Sequence, residues 1–237
     1  MKNQIRIATL SLLALVCLAL AAVPASAQQM NLYDNGPANG NVNAWTINSG
    51  YSVSDSFALT SGSGNDSQVN GAGPLAARVG TELENVSFSA WVSPGDTLTS
   101  VGVQIGTSAF DNSLFDGIVS LTQANCSANG FGFNVCTETG NFNGPTLANG
   151  NYWLTLGHAT DTADSPVYWD ENSGVGCQSS GCPSQGQASG IGSIPSEAFD
   201  LSGTTVSQGS TPEPSTLLLS GTSILGLAGL LWRRLSP

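Results

Sequence analysis

The stretch Glu84–Val92, "ENVSFSAWV", decides the fold. Val86, Phe88, Ala90 and Val92 share one parity; Asn85, Ser87, Ser89 and Trp91 share the other. Successive strand side chains point to opposite faces, so this alternation describes a strand with one face on a core and one toward water. "LTSVGVQIG", residues 98–106, repeats the pattern with Val101, Val103 and Ile105. The shorter runs "AWTI", "DGIVSL", "NYWLTL" and "PVYWD" are rich in β-branched and aromatic residues, which suit a pleated, half-buried surface. Between them lie clusters such as "SGSGND", "SPGD" and "ENSG", where Gly, Asn and Asp make turns at little conformational cost.

No stretch between residues 28 and 210 carries the apolar period of an amphipathic helix. About eight short strands with regular turns predict an all-β fold, an antiparallel sandwich of jelly-roll type in preference to a barrel. One short echo runs through it. "SDSFAL", residues 54–59, and "SEAFDL", residues 196–201, share the order Ser, acid, small, Phe, any, Leu. Both would turn Phe and Leu inward, which predicts that first and last strands are neighbours. No longer repeat is present, which argues against a solenoid.

The net charge of −11 is unevenly placed. Lys2 and Arg6 open the chain and Arg233 and Arg234 close it, leaving Arg78 as the single base between the two hydrophobic ends. That intervening stretch holds 15 of the 16 acids and has a net charge of −14. Such a surface repels phosphate backbones and anionic headgroups, so nucleic acid is excluded as a partner. Neutral glycans, divalent cations and protein are left. The same stretch contains Cys126, Cys136, Cys177 and Cys182. An even number in an exported chain reads as disulfides, and proximity favours Cys126–Cys136 with Cys177–Cys182 among the three pairings. Zinc suits neither the spacings nor a chain with one histidine.

Both ends read as addresses. Lys2 and Arg6, the apolar Leu10–Val23 and then Ala25-Ser26-Ala27 describe a secretory signal peptide cut after Ala27. At the other end Leu217–Trp232 has no charge and is followed by Arg233 and Arg234. Counted from Ser215, a helix there spans ~27 Å at 1.5 Å per residue, enough for a thin bilayer. Trp232 suits the interface, and the arginine pair belongs on the cytoplasmic side. The expected plan is a signal peptide over 1–27, an exported sandwich over 28–203, a polar linker over 204–214 and a transmembrane helix with its basic end over 215–237.

Pro212-Glu213-Pro214, then Ser215, the apolar run and the closing arginine pair resemble the PEP-CTERM sorting signal. That resemblance implies an exported protein held in the inner membrane of a bacterium with an outer membrane. Exosortase, a membrane-embedded transpeptidase-like enzyme, then processes it for the surface or the extracellular space, in association with exopolysaccharide. It makes Pro212, Glu213 and Pro214 the recognition motif, with Arg233 and Arg234 as the stop. The body, in "LYDNGP", "WTINSGYSVSDSF", "YWLTL" and "VYWDENSG", is similar to uncharacterised domains that precede this tail, which implies a fold and no activity. The physics agrees: prolines on both sides of Glu213 keep the segment extended and open to an enzyme.

Chemistry in the body is sparse. A Ser/His/Asp triad would have to use His158, the only histidine, with Asp161 or Asp164 nearby, and no G-x-S-x-G elbow accompanies it. Asp170 and Glu171 are adjacent and so face opposite ways on a strand, a poor glycosidase pair. The sequence therefore nominates no catalytic residue. "DTADSPVYWDEN", residues 161–172, gathers Asp161, Asp164, Asp170 and Glu171. It reads either as a solvated acidic loop or as a calcium site, since calcium takes six to eight oxygens; the EF-hand spacing is absent. Tyr168 and Trp169 are candidates to stack on a sugar, although strand-borne tryptophans more often pack into cores. The expected function is a non-enzymatic surface or matrix protein. A carbohydrate-binding module, with calcium as its one candidate cofactor, is the alternative, and a hydrolase stands third.

Overall fold

The computed structural model describes residues 29–60 and 80–206. The signal peptide, Arg78, the Pro-Glu-Pro motif and the 215–237 segment lie outside the described residues. Fourteen strands follow in order: β1 (Met30–Asp34), β2 (Ala44–Thr46), β3 (Ser52–Leu59), β4 (Gly80–Val92), β5 (Leu98–Gly106), β6 (Phe115–Ser120), β7 (Thr122–Ala128), β8 (Asn134–Asn141), β9 (Thr146–Leu147), β10 (Gly150–Asp161), β11 (Tyr168–Asp170), β12 (Gly186–Ala188), β13 (Gly192–Ile194) and β14 (Phe199–Val206). Among the described residues there is no helix, and hence none long and apolar enough to cross a membrane.

The strands form two antiparallel sheets. The first has eight strands in the order β1-β14-β4-β11-β2, with β8 and β9 also on β4 and β7 on β8. The second has six, ordered β13-β12-β3-β10-β5-β6. The inward residues of β4 (Val86, Phe88, Ala90, Val92) are buried in one core with Val101, Val103 and Ile105 of β5 and Leu154 and Leu156 of β10. These are the residues that the sequence alternation turns inward, and the result is the expected β-sandwich.

β4 is long enough to change parity once. Ser202 pairs with Asn85 and Gly203 with Leu83, so Glu84 is the extra residue of a β-bulge. Glycine fits at 203 because a Cβ there would run into the Glu82 carbonyl oxygen. β14 continues through Val206, pairing Thr204, Thr205 and Val206 with Glu82, Thr81 and Gly80, so the sheet runs three residues past the expected boundary at 203.

Two expectations need correction. The echo segments turn Phe57, Leu59, Phe199 and Leu201 inward as expected, yet they do not pair: β3 belongs to one sheet and β14 to the other. The strand beside β14 at that edge is β1, and Tyr33 of β1 connects the two segments through ring contacts with Phe57 (6.0 Å) and Phe199 (5.4 Å). The strand number also exceeds the expected eight. The β7–β8 hairpin is the largest addition. Its sequence has little apolar alternation, and β7 is mostly exposed. Cross-strand pairing and the Cys126–Cys136 bridge hold it. Cys177–Cys182 forms the second disulfide, as chain proximity suggested.

Candidate functional site

The sandwich is apolar along most of its length and acidic at one end. Asp55 lies on the same parity as Val53, Phe57 and Leu59 in β3, so it points between the sheets and is fully buried. Glu197, just before β14, shares parity with Phe199 and Leu201 and is 0 % exposed. Glu171 follows β11 on the inward parity of Trp169 and forms an isolated antiparallel bridge with Glu197. Directly opposed residues of such a bridge project to the same face. Three carboxyl groups from three segments therefore meet at one end of the core.

A network of neutral groups surrounds them. The Asp55 Oδ1 accepts from the Ser56 N–H (2.7 Å) and the Ser184 hydroxyl (2.5 Å), and its Oδ2 accepts from the Glu197 N–H (2.6 Å). Asn35 donates through Nδ2 to the Ser196 Oγ (2.7 Å) and the Glu197 carbonyl (2.5 Å). Its Oδ1 accepts from the Tyr33 hydroxyl (2.9 Å) and the Ser184 N–H (3.2 Å). The Trp45 indole donates to Glu171 Oε1 at 3.1 Å. Both Glu197 carboxyl oxygens, by contrast, are buried without a hydrogen-bond partner.

No lysine or arginine occurs among the described residues, so no side-chain ion pair offsets this charge. Burial pushes Asp55 up to about 7 despite its hydrogen-bond donors. Burial, and then the charges of Asp55, Glu171 and Asp170, hold Glu197 well above the carboxylate range. A related pair lies across β1 and β14, where Asp34 is opposite Asp200. Burial and the facing Asp34 push Asp200 up to about 7. Glu138 of β8 stands apart: it is 0 % exposed, has no partner for either carboxyl oxygen, and burial pushes it up to about 8.

The outer face of the eight-stranded sheet carries a second feature. Trp91 lies on the polar parity of β4, as its position in "SAWV" requires, yet it is only 6 % exposed. Phe131, at the tip of the β7–β8 hairpin, stacks on it at 5.4 Å with an interplanar angle of 21°. Phe133 packs beside Trp91 at 6.1 Å and meets Tyr168 edge-on at 5.4 Å. The tip is braced by the Asn129 Oδ1, which accepts from the N–H groups of Phe131 and Phe133. The cluster leaves Phe131 58 % exposed.

The structure separates the residues of the 161–172 stretch. Asp161 is buried and accepts from the Ser165 N–H at 3.0 Å. Asp164 is exposed in a left-handed conformation with φ 59°. Tyr168 joins the outer aromatic cluster, whereas Trp169 is 0 % exposed, donates to the Ala198 carbonyl and is unavailable to a sugar. Asp170 faces outward beneath a cover, accepting from the Trp91 indole (2.9 Å) and the Gly40 N–H (2.8 Å); burial outweighs those donors and lifts it to about 6. Glu171 turns the other way, as adjacency predicted. Among the described residues no group of three or more His, Cys, Asp or Glu is placed to hold a metal ion. His158 is exposed at φ 49°, within the β10 irregularity rather than at a strand end. An open depression of about 410 Å³ is lined by Gln29, Glu82, Glu84, Asn141, Phe142 and Asn143, with Glu84 engaged by the Thr204 hydroxyl.

Asp55, Glu138 and Glu197 escape motif reasoning, because single acids in or beside short strands look like solvent-face residues. Parity held the signal: each of these acids sits in register with inward apolar or small neighbours.

No curated protein and no solved structure is similar to the chain. Residues 210–234 match the PEP-CTERM protein-sorting motif, directly downstream of the last strand. The chain thus joins a disulfide-stapled sandwich to a PEP-CTERM protein-sorting motif.

Proposed function

We propose that this chain is an exported, non-enzymatic cell-surface or matrix protein. On this reading the 215–237 helix anchors it in the inner membrane until exosortase acts near Pro212-Glu213-Pro214 and frees it for the exopolysaccharide layer. The sorting motif at 210–234 carries the reading. The burial of Asp55, Glu138 and Glu197 inside the sandwich supports it, since groups so placed are withdrawn from a substrate. Glu213→Gln in the native host tests it. Intact-mass spectrometry should show the wild type without its tail and the variant with the tail, retained in the membrane fraction. Identical maturation of both refutes the reading.

The exposed Phe131 favours one second reading, a glycan-binding role. Its outer ring face is free while its inner face rests on Trp91, the arrangement of a stacking platform. The acidic body directs this platform to neutral sugars. Phe131→Ala should abolish any signal on a neutral-glycan array while leaving the melting temperature within a few degrees; unchanged glycan binding counts against the platform.

A further inference from the structure

β1 is the edge strand of the eight-stranded sheet, and among the described strands it pairs with β14 alone. In that ladder Asp34 stands directly opposite Asp200. Both acids lie on the outer face, because Tyr33 and Leu201 beside them turn into the core. Directly opposed side chains have Cβ atoms roughly 5 Å apart, and like charges so placed repel. Here the two carboxyl groups are instead hydrogen-bonded to each other. Two carboxylates cannot make that bond, since each is only an acceptor; one of the pair carries a proton.

We propose that Asp34 and Asp200 share a single proton as a latch that fastens β1 to the sheet and releases it when the proton is lost. The Gly36 N–H donates to Asp34 Oδ1 at 2.7 Å, which suits Asp34 as the charged acceptor and Asp200 as the protonated donor. Loss of the proton to solvent turns the bond into a repulsion between two carboxylates. No basic side chain relieves it, since the described residues lack lysine and arginine and His158 lies on the six-stranded sheet.

The groups around the pair are neutral. Ser87 of β4 is opposite Asp200 on its other side, and Ser202 follows it along β14. The disulfide loop over 174–185, which has no Asp, Glu, Lys, Arg or His, is pinned to β1: Ser179 Oγ accepts from the Asp34 N–H at 2.7 Å, and the Cys177 sulfur lies 3.8 Å from the Asp34 carbonyl oxygen. The acids on the inward side of β1 are Asp55 and Glu197, which meet Tyr33 and Asn35. Burial and the facing charge of Asp34 push Asp200 from 3.8 up to about 7. The closed strand therefore holds this proton more tightly than the opened one. β1 is fastened most firmly below pH 3.8, and its hold is lost as pH rises through about 7.

The test is hydrogen exchange of the full chain in a non-ionic detergent, read by mass spectrometry on peptides from β1 and corrected for the intrinsic pH dependence of exchange. Protection of the wild-type β1 amides should fall roughly tenfold between pH 5 and 8.5, a figure discounted for the partial exposure of the pair. Asp200→Asn supplies a permanent amide donor to Asp34 and should cut that fall to under about threefold. Asp34→Asn, whose amide can serve both Gly36 and Asp200, should do the same and stands in if the first variant does not fold. Glu138→Gln, which removes a titrating acid elsewhere in the sandwich, should leave the fall in place. A wild-type β1 whose protection does not change with pH overturns the proposal, whether or not the variants fold. So does a full fall in both Asn variants, because the acids behind β1 are then responsible. So does a fall that vanishes in Glu138→Gln, because the opening is then that of the whole sandwich.

Discussion

Glu138 is the simplest place to test how this fold carries buried acid. Its carboxyl lies inside the sandwich opposite Phe88, 0 % exposed, with no hydrogen-bond partner and no cation among the described residues. Burial raises its pKa from 4.5 to about 8. The folded protein therefore holds this proton more tightly than the unfolded chain does. The stability contribution is full below pH 4.5 and is lost as pH rises through 8. At about 1.4 kcal/mol per unit the window is worth roughly 5 kcal/mol, and screening by relaxation and entering water brings this to about 2–3 kcal/mol. Glu138→Gln keeps the shape and removes the titration. In urea unfolding followed by tryptophan fluorescence, with EDTA throughout, wild type and variant should agree within about 1 kcal/mol at pH 5. At pH 8.5 the variant should be the more stable by about 2–3 kcal/mol. Glu138→Leu, which also removes the unserved polar atoms, should be the most stable of the three at pH 8.5. A difference between wild type and Glu138→Gln that does not change with pH refutes the buried, proton-holding carboxyl.

Two further substitutions probe the frame around the site. Trp91→Phe keeps a ring beneath Phe131 but deprives Asp170 Oδ1 of its indole donor, and should lower stability by about 1–3 kcal/mol in the same urea assay. Gly203→Ala drives a Cβ into the Glu82 carbonyl at the bulge and should cost roughly 1–3 kcal/mol. Gly130→Ala, with nothing near its added Cβ, should stay within about 0.5 kcal/mol of wild type, which makes it the control.

Much of the fold was readable because burial on one side of a strand leaves a mark of period two. β4, β5, β6, β10 and β11 each contain a run that the alternation or the aromatic content identifies. What escaped were strands whose order comes from their neighbours. β7 exposes most of its residues and is held by β8 and a disulfide, so its own side chains carry little apolar signature. β12 and β13 are three residues each, too short for a period to register. Sheet membership was equally out of reach: Phe57 and Phe199 announce inward faces, and nothing in six residues says which sheet each face belongs to.

The carboxyl-lined end shows what motif reasoning leaves out: of its acids only Glu171 lies in the stretch 161–172. Motif reading favours density, and "DTADSPVYWDEN" is the densest acidic stretch; strand alternation then sends Asp170 and Glu171 to opposite faces and leaves Asp164 in water. The acids that converge are scattered singly, at 55, 171 and 197, and each gives itself away only by parity. Asp55 occupies the place where Val53, Phe57 and Leu59 lead one to expect an apolar residue, as Glu197 does ahead of Phe199 and Leu201. On its own such a substitution reads as an edge strand's solvent face. Recurring in two segments of like pattern, it means that acid is being turned inward with no lysine or arginine among the described residues to meet it. A carboxyl buried without a partner charge favours its neutral, protonated form, at Glu197 as at Glu138.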